Sequence, residues 1–506
     1  MLAALDDIGG FVAGFGVIVR LGYLATRIRR NTHSTKVASY QAIALVVLVT
    51  TFSIVGCLDG ESREPRPSGV GAADSAILVP FLSPAFGEAL FVSGDTVAVL
   101  GSGAMTGPSA LHVTSLDPSF GPTAPLRSLD VSAGILGLSV SGRFLAWLRP
   151  GTGGSDPDRL RVYDTNDLGA ADITDAEWTP TGATSLDVFD FDLAGSFVAW
   201  IGWVDDDRMV APRVGVADLA DGLGMNSVDF GETLGTFPEI AGSNRLILWH
   251  DDRDVYAIAA PFETAMPVII EDAVDAGMGF RVDGGLAAWT SLGDVYVFDV
   301  DRPVVADVNP RNVGDGELLG LSDGYVLYVD FNQYYVHDVT DPSATPEFFY
   351  REARGEDHKP KLGGHFVAWS VCQNVDSLTL ITTVFFCATT DPDTTVFVLD
   401  LVTPRVPGTN PLEVATGSER LRLLDLDDLG VAWRTRGSRS ELRYWNPGEP
   451  LVESVNPLAV YVGSPDPEKI DLSSSGLLFP VDVSTGVDAI RFVDAMTLLL
   501  MTNDGP

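Results

Sequence analysis

The chain has 506 residues, and 69 Asp and Glu set against 32 Lys and Arg give it a formal net charge of −37 at neutral pH. A surface of that sign and size repels nucleic acid and anionic lipid headgroups, which excludes nucleic-acid binding as a function class. With 52 Gly, 31 Pro and nine Trp spread among short apolar runs, the composition favours one β-rich body over helices.

Taken from the start, residues 1–26 contain an apolar run, Ile8 to Val19, ahead of any basic cluster. They are either an over-extended gene start or a first membrane segment, with Arg27 to Lys36 as a basic cytoplasmic loop. Val37 to Gly56 follows as twenty positions without a charge, flanked by Arg27, Arg29, Arg30 and Lys36. A basic flank, an apolar core and a small residue before the junction make a helical export signal.

The end of this segment with the residue after it, Ile54-Val55-Gly56-Cys57, resembles the lipobox of bacterial lipoproteins. The resemblance implies that Cys57 is lipidated and becomes the first residue of the mature protein. The chain would then be held on the membrane of the cell envelope through its lipid, on the extracytoplasmic side, periplasmic or surface. An uncut transmembrane helix is the alternative, since twenty apolar residues span a bilayer core of about 30 Å. Leu58 to Ala73 argues for the lipobox, because a Pro/Gly/Ser-rich polar tether holds a folded domain off a membrane. The expected organisation is therefore 1–56 as export segment, 57–77 as lipidated Cys and tether, and 78–506 as the folded domain. Residues 1–56 hold five Lys/Arg and two Asp/Glu, so the remainder carries 27 against 67 and is more acidic still.

From Gly94 onward one pattern recurs: a strand ending in an aromatic, a turn, and a second strand ending in Asp. Clear copies are GRFLAWL with LRVYD (142–148, 160–164), GGLAAWT with VYVFD (284–290, 295–299) and GHFVAWS with VFVLD (364–370, 396–400). The aromatic slot reads Val99, Trp147, Trp200, Trp249, Trp289, Tyr328, Trp369, Trp433 and Phe479. The second strand ends at Ser115, Asp164, Asp218, Ala259, Asp299, Asp338, Asp400, Asn446 and Asp494. A period in the forties matches blades of four short strands, so the expectation is an all-β chain forming a β-propeller of eight or nine blades. The first and last repeats lack the Trp, and their merger would close a ring of eight; an open solenoid is the other arrangement. The aromatics sit inside apolar strands, which makes them gap fillers between stacked sheets.

The repeats resemble TolB-type and related WD-like bacterial propellers, most closely in PEIAGSNRLILWHDDRDVYAI (238–258). The resemblance covers about residues 78–506, implies the fold, and brings no catalytic residues with it. We expect no separate α/β domain before the blades, which removes the best reason to assign a Tol-system role.

The remaining cysteines, Cys372 and Cys387, stand in the one long interval between aromatic slots, a spacing that suits a disulfide closing a hairpin outside the cytoplasm. For metals, the closest pair is His358 and His365 beside Asp357, across a Gly-Gly turn, where an ordinary inter-blade loop is the simpler reading. Calcium is a minority expectation at Asp205-Asp206-Asp207, at Asp251-Asp252 with Asp254, and at Asp391 with Asp393; none completes an EF-hand loop, and solvated Asp is expected in hairpins. We expect no serine-hydrolase elbow, no zinc-protease helix motif and no phosphate loop, hence no catalytic, cofactor or metal residues to name.

These features point to a non-enzymatic envelope lipoprotein that presents its propeller to a protein or glycan partner. The alternative is a carbohydrate-active or other hydrolytic propeller with carboxylates at the central channel. Two or three buried carboxylates with an aromatic platform at one channel mouth would favour the enzyme, and a channel lined by small or apolar residues would sink it.

Overall fold

A computed structural model describes the chain between Ile77 and Asp494, apart from a number of segments between strands. These residues fall in one compact unit, Gly69–Pro506. The export segment, Cys57 and Leu58 to Ala73 lie outside the described residues.

The chain is an all-β propeller. Its described strands form nine four-stranded antiparallel sheets and one two-stranded hairpin. Sheets one to nine occupy residues 87–131, 137–177, 186–232, 240–271, 276–315, 317–351, 361–417, 420–462 and 471–494. In sheets one to eight the four strands pair in chain order; the two-stranded hairpin, at 375–376 and 386–387, is inserted between the second and third strands of sheet seven. Sheet nine has only three strands of its own, and Ile77–Pro80 completes it from the other end of the chain, with Ile77 opposite Phe492. The first and last repeats therefore do not merge. Each builds its own sheet, and the amino-terminal region contributes a single closing strand.

The aromatic slot is the organising feature. Trp147, Trp200, Trp249, Trp289, Tyr328, Trp369, Trp433 and Phe479 all lie on the second strand of their sheet and are all buried. A sheet that stacks on two others exposes neither face, so its second strand reads as continuous apolar residues instead of alternating ones. Phe144–Arg149, for instance, is buried along its first five positions. Each apolar cluster joins two successive sheets: Phe144, Ala146, Leu160 and Val162 of sheet two meet Leu186, Phe191 and Trp200 of sheet three. Where the third strand places an aromatic opposite the slot, the rings stack, as in Trp249 with Tyr256 at 5.3 Å and Trp289 with Tyr296 at 5.9 Å between centroids. In sheet three the opposite residue is Gly215, and a Cβ there would enter the indole of Trp200.

The Asp that ends the third strand of these sheets makes the turn expected of it. Asp164, Asp218, Asp299, Asp338 and Asp400 each accept the backbone N–H two residues on, at 2.9–3.0 Å, and Asn446 does the same for Gly448.

The first strands of successive sheets lie beside one another, and that of sheet nine meets that of sheet one. They form the axial layer of the propeller, and the candidate site belongs to it.

Candidate functional site at the axial strands

Counting back from the aromatic slot locates the residues of the axial layer. Eight positions before it stand Ser139, Asp192, Ala241, Arg281, Gly320, Lys361 and Asp425, in sheets two to eight, all on first strands. Four of these seven are charged. Lys361 and Asp425 form an ion pair between sheets seven and eight at 3.0 Å, and Leu472 of sheet nine donates its N–H to the other oxygen of Asp425 at 3.0 Å.

Acidic groups gather where sheets three and four meet. Ten positions before their tryptophans, Asp190 and Glu239 hold equivalent places in the two sheets. Asp190 Oδ2 accepts the N–H of Ile240 at 2.9 Å, and Asp192 Oδ2 accepts that of Gly242 at 3.0 Å. On its other oxygen Asp192 receives the Ser139 hydroxyl, at 3.0 Å, and the Leu193 N–H, at 2.9 Å. Glu239 reaches onward to sheet five, where the Gly279 N–H donates to Oε2 at 3.2 Å. These carboxylates thus bind neighbouring sheets together and sit partly buried at the axis.

Burial is the main influence on the ionisation of Asp190 and Asp192. It pushes the Asp190 carboxyl up to about 6, against the N–H bonds from Ile240 and Phe191 and with help from the negative charges of Glu239 and Asp192. Asp192 is also raised, first by burial, while its bonds from Gly242, Ser139 and Leu193 oppose the shift.

A β-bulge between Val188 and Asp190 turns Phe189 out of the strand. Phe189 is 37 % exposed and meets Trp203 edge to face, ring centroids 4.2 Å apart. Phe189 of the first strand and Trp203 of the second thus form an aromatic pair, and Phe189 is next in sequence to a carboxyl that still holds its proton in mild acid.

Of the residues singled out from the sequence, few come together. His365 lies on the first hairpin of sheet seven with Nε2 4.0 Å from Asp400 Oδ1, while Asp357 and His358 are outside the described residues. Asp254 accepts the Tyr256 hydroxyl at 3.3 Å; Asp205, Asp206, Asp207, Asp251, Asp252, Asp391 and Asp393 are outside the described residues. Among the described residues no group of three or more His, Cys, Asp or Glu side chains could hold a metal ion. Cys372 pairs by backbone with Thr394, and Cys387 with Val375, so both border the inserted hairpin; their side chains are outside the description.

One expectation about motifs needs correcting on the sequence itself. Gly320-Leu321-Ser322-Asp323-Gly324 does fit the serine-hydrolase pentapeptide. It is not an elbow, because it runs from a strand into a tight antiparallel hairpin, with Asp323 and Gly324 at positive φ, and not into a helix. Ser322 Oγ accepts the Gly364 N–H of the next sheet at 2.9 Å. Ser93 to Gly142 and Ser141 to Gly195 make the same link in sheets one and two, so this serine is one of a series of inter-sheet ties.

No protein-family model matches the chain, and no curated protein does. Among solved structures it is similar to the β-propeller domain of the Trilobed protease from Pyrococcus furiosus, at 12 % identity and a TM-score of 0.34 over 72 % of this chain and 96 % of that one. It is also similar to Porphyromonas gingivalis dipeptidyl peptidase 4, at 12 % identity and a TM-score of 0.41 over 69 % of this chain and 57 % of that one. A puromycin hydrolase gives 11 % identity and a TM-score of 0.36 over 70 % and 58 %. The expectation of a non-enzymatic scaffold is corrected here. The similar structures are mostly peptidases by description. The physical ground lies in this chain: its axial layer carries desolvated carboxyls, and Phe189, next in sequence to one of them, pairs with Trp203 of the adjoining strand.

Proposed function

We propose that this chain is a hydrolytic propeller whose chemistry is carried by the axial carboxyls of sheets three and four, acting on a glycosidic bond. The observation behind the proposal is the pairing of Asp190, on the first strand of sheet three, with Glu239, at the equivalent place immediately before the first strand of sheet four. Glycoside hydrolysis uses two carboxyl groups in different protonation states, one giving a proton to the leaving oxygen and one activating water or attacking. Asp190, held up to about 6 by burial, is suited to the proton donor, and Glu239 is the residue placed to be its partner. Phe189 and Trp203 supply an apolar platform for the face of a sugar ring.

The test is release of reducing sugar from a panel of polysaccharides by the purified folded domain, with a peptide panel run beside it. Asp190→Asn and Glu239→Gln should each lower turnover at least about 100-fold, the usual contribution of a general acid or base. Cleavage of peptides alone would move the substrate class. Turnover that survives both substitutions would remove these residues from the chemistry.

We also propose that the nine sheets close as a nine-bladed ring of TolB-like blades, with Ile77–Pro80 as its clasp. The anchor reading continues alongside it: lipid on Cys57, an extracytoplasmic envelope location, and a disulfide between Cys372 and Cys387. Cys57→Ala should abolish fatty-acid labelling in cells, and thiol counting with and without reductant should find the other two cysteines oxidised.

A further inference from the structure

The hairpins joining second to third strands in sheets five and six break the usual rule for tight turns. At their tips stand Leu292 and Phe331, with φ of 54° and 55°. Left-handed backbone favours Gly, Asn or Asp and costs a bulky residue about 1 kcal/mol or more. The first hairpins of sheets two, five and seven follow the rule, with Gly142, Gly284 and Gly364 at positive φ. Leu292 and Phe331 are also 68 % and 97 % exposed, so burial in the folded chain offsets little of this cost for Leu292 and almost none for Phe331. Two neighbouring sheets thus repeat one combination, an apolar side chain held outward on unfavourable backbone.

The ground between the tips is acidic. Asp294 follows the first tip and lies opposite Asp315, and the two carboxyls are close enough that Asp294 is raised by burial and by its contact with Asp315. From Asp315 the chain passes through Gly316, whose N–H donates to Gly293 O at 2.6 Å, straight into Glu317 at the start of sheet six. Glu317 lies opposite Val329, next to Asp330, which opens the second tip. Lys359 pairs with Glu317 at 3.0 Å; among the described residues no Lys or Arg forms an ion pair with Asp294, Asp315 or Asp330. The first strands of sheets five and six lie side by side, and Gly316, bonded to the first tip through Gly293, sits against Val329 and Asp330 of the second hairpin.

We propose that Leu292 and Phe331, with Asp294, Asp315 and Asp330 between them, form a docking surface for a positively charged amphipathic polypeptide segment. Its apolar side chains would cover the two tips, and its Lys or Arg would neutralise the unpaired carboxylates. The charge selects the occupant: an anionic lipid surface is repelled by these groups and by the net charge of −37, and a second copy of the chain brings the same sign. The surface is independent of the hydrolytic reading, since binding at it needs no turnover.

The experiment uses a labelled peptide of alternating Leu and Lys, with two controls: Glu in place of Lys, and Ser in place of Leu. Binding to the folded domain is read by fluorescence anisotropy at two salt concentrations. The wild type should bind the Leu/Lys peptide at least tenfold more tightly than either control. Leu292→Ser with Phe331→Ser should lose that tenfold, and Asp294→Asn with Asp315→Asn should weaken binding and flatten its salt dependence. Exposed tips on strained backbone tolerate such changes, and circular dichroism confirms the fold. Equal binding of the Leu/Lys and Ser/Lys peptides would overturn the proposal, as would unchanged affinity in the Leu292/Phe331 variant. So would wild-type binding to zwitterionic vesicles, or self-association, that the same double variant abolishes.

Discussion

Asp192 Oδ2 accepts the backbone N–H of Gly242 at 3.0 Å, so a side chain in the axial strand of sheet three holds the axial strand of sheet four. Its other oxygen is taken by Ser139 of sheet two, which makes one carboxylate the joint of three sheets. Asp192→Ala leaves the Gly242 N–H and the Ser139 hydroxyl without this acceptor, at a cost of about 1–3 kcal/mol. Asp192→Asn keeps an acceptor oxygen and should cost less. Chemical denaturation of the two variants checks the order; equal loss would mean that the carboxylate acts only through its volume.

Asp190 makes stability depend on pH in a defined direction. Its folded value, about 6, lies above the unfolded one, so the unfolded chain ionises first as pH rises. The contribution of this group is fully present below about pH 4 and is lost as pH climbs through about 6. Asp190→Asn should remove that slope between about pH 4 and 6, seen by melting temperature across the range. If Asp190 is also the proton donor of the proposed reaction, the fall of wild-type activity above about pH 6 has the same origin.

His337 acts with the opposite sign. It is buried on the third strand of sheet six, and its value is held below the ordinary one first by burial and then by the charge of Arg311, with Asp338 pulling the other way. The neutral imidazole is favoured, so the stability it allows is complete above about 6.5 and declines as pH falls below it toward the folded value. His337→Gln should flatten the pH dependence below about 6.5. An unchanged slope would show that His337 keeps its ordinary value in the folded protein.

Two buried asparagines hold the loops between third and fourth strands. Asn309 takes the Asp299 N–H on Oδ1 at 2.8 Å and gives Nδ2 to the carbonyls of Asp299 and Arg302, at 2.8 and 3.0 Å. Asn410 repeats this with Asp400 and Thr403 in sheet seven. Asn309→Ala and Asn410→Ala each strand a backbone donor and acceptor, for a loss of about 1–3 kcal/mol apiece. Asn309→Asp should be similarly costly, since a carboxylate has no N–H to give those carbonyls. A stability within about 0.5 kcal/mol of wild type for all three would show that water replaces these bonds.

The repeat was legible because each sheet buries both faces, which forces a large apolar residue at the same place in every copy. Trp147, Trp200 and Trp433 announce it, and the Asp at the end of the third strand announces the turn. The axial layer was harder to see. Asp190, Asp192 and Glu239 look like any of 69 acidic residues until the copies are aligned on their aromatics, and then the columns eight and ten positions earlier pick them out. The bulge at Phe189 left no such trace, because it depends on how the strand meets Ile201 and Gly202 across the sheet.

The sequence by itself therefore determined an all-β propeller, the place of its aromatic cores and its Asx turns, since these rest on local pattern and on residue volume. Tertiary structure alone decided that Ile77–Pro80 closes sheet nine, that Gly215 makes room for Trp200, and that the pentapeptide at Ser322 is a tie between sheets. It also decided which carboxyls lose water at the axis and which apolar side chains are left outside it. Burial, charge proximity and strand partnership arise between residues tens to hundreds of positions apart, and no local pattern encodes them.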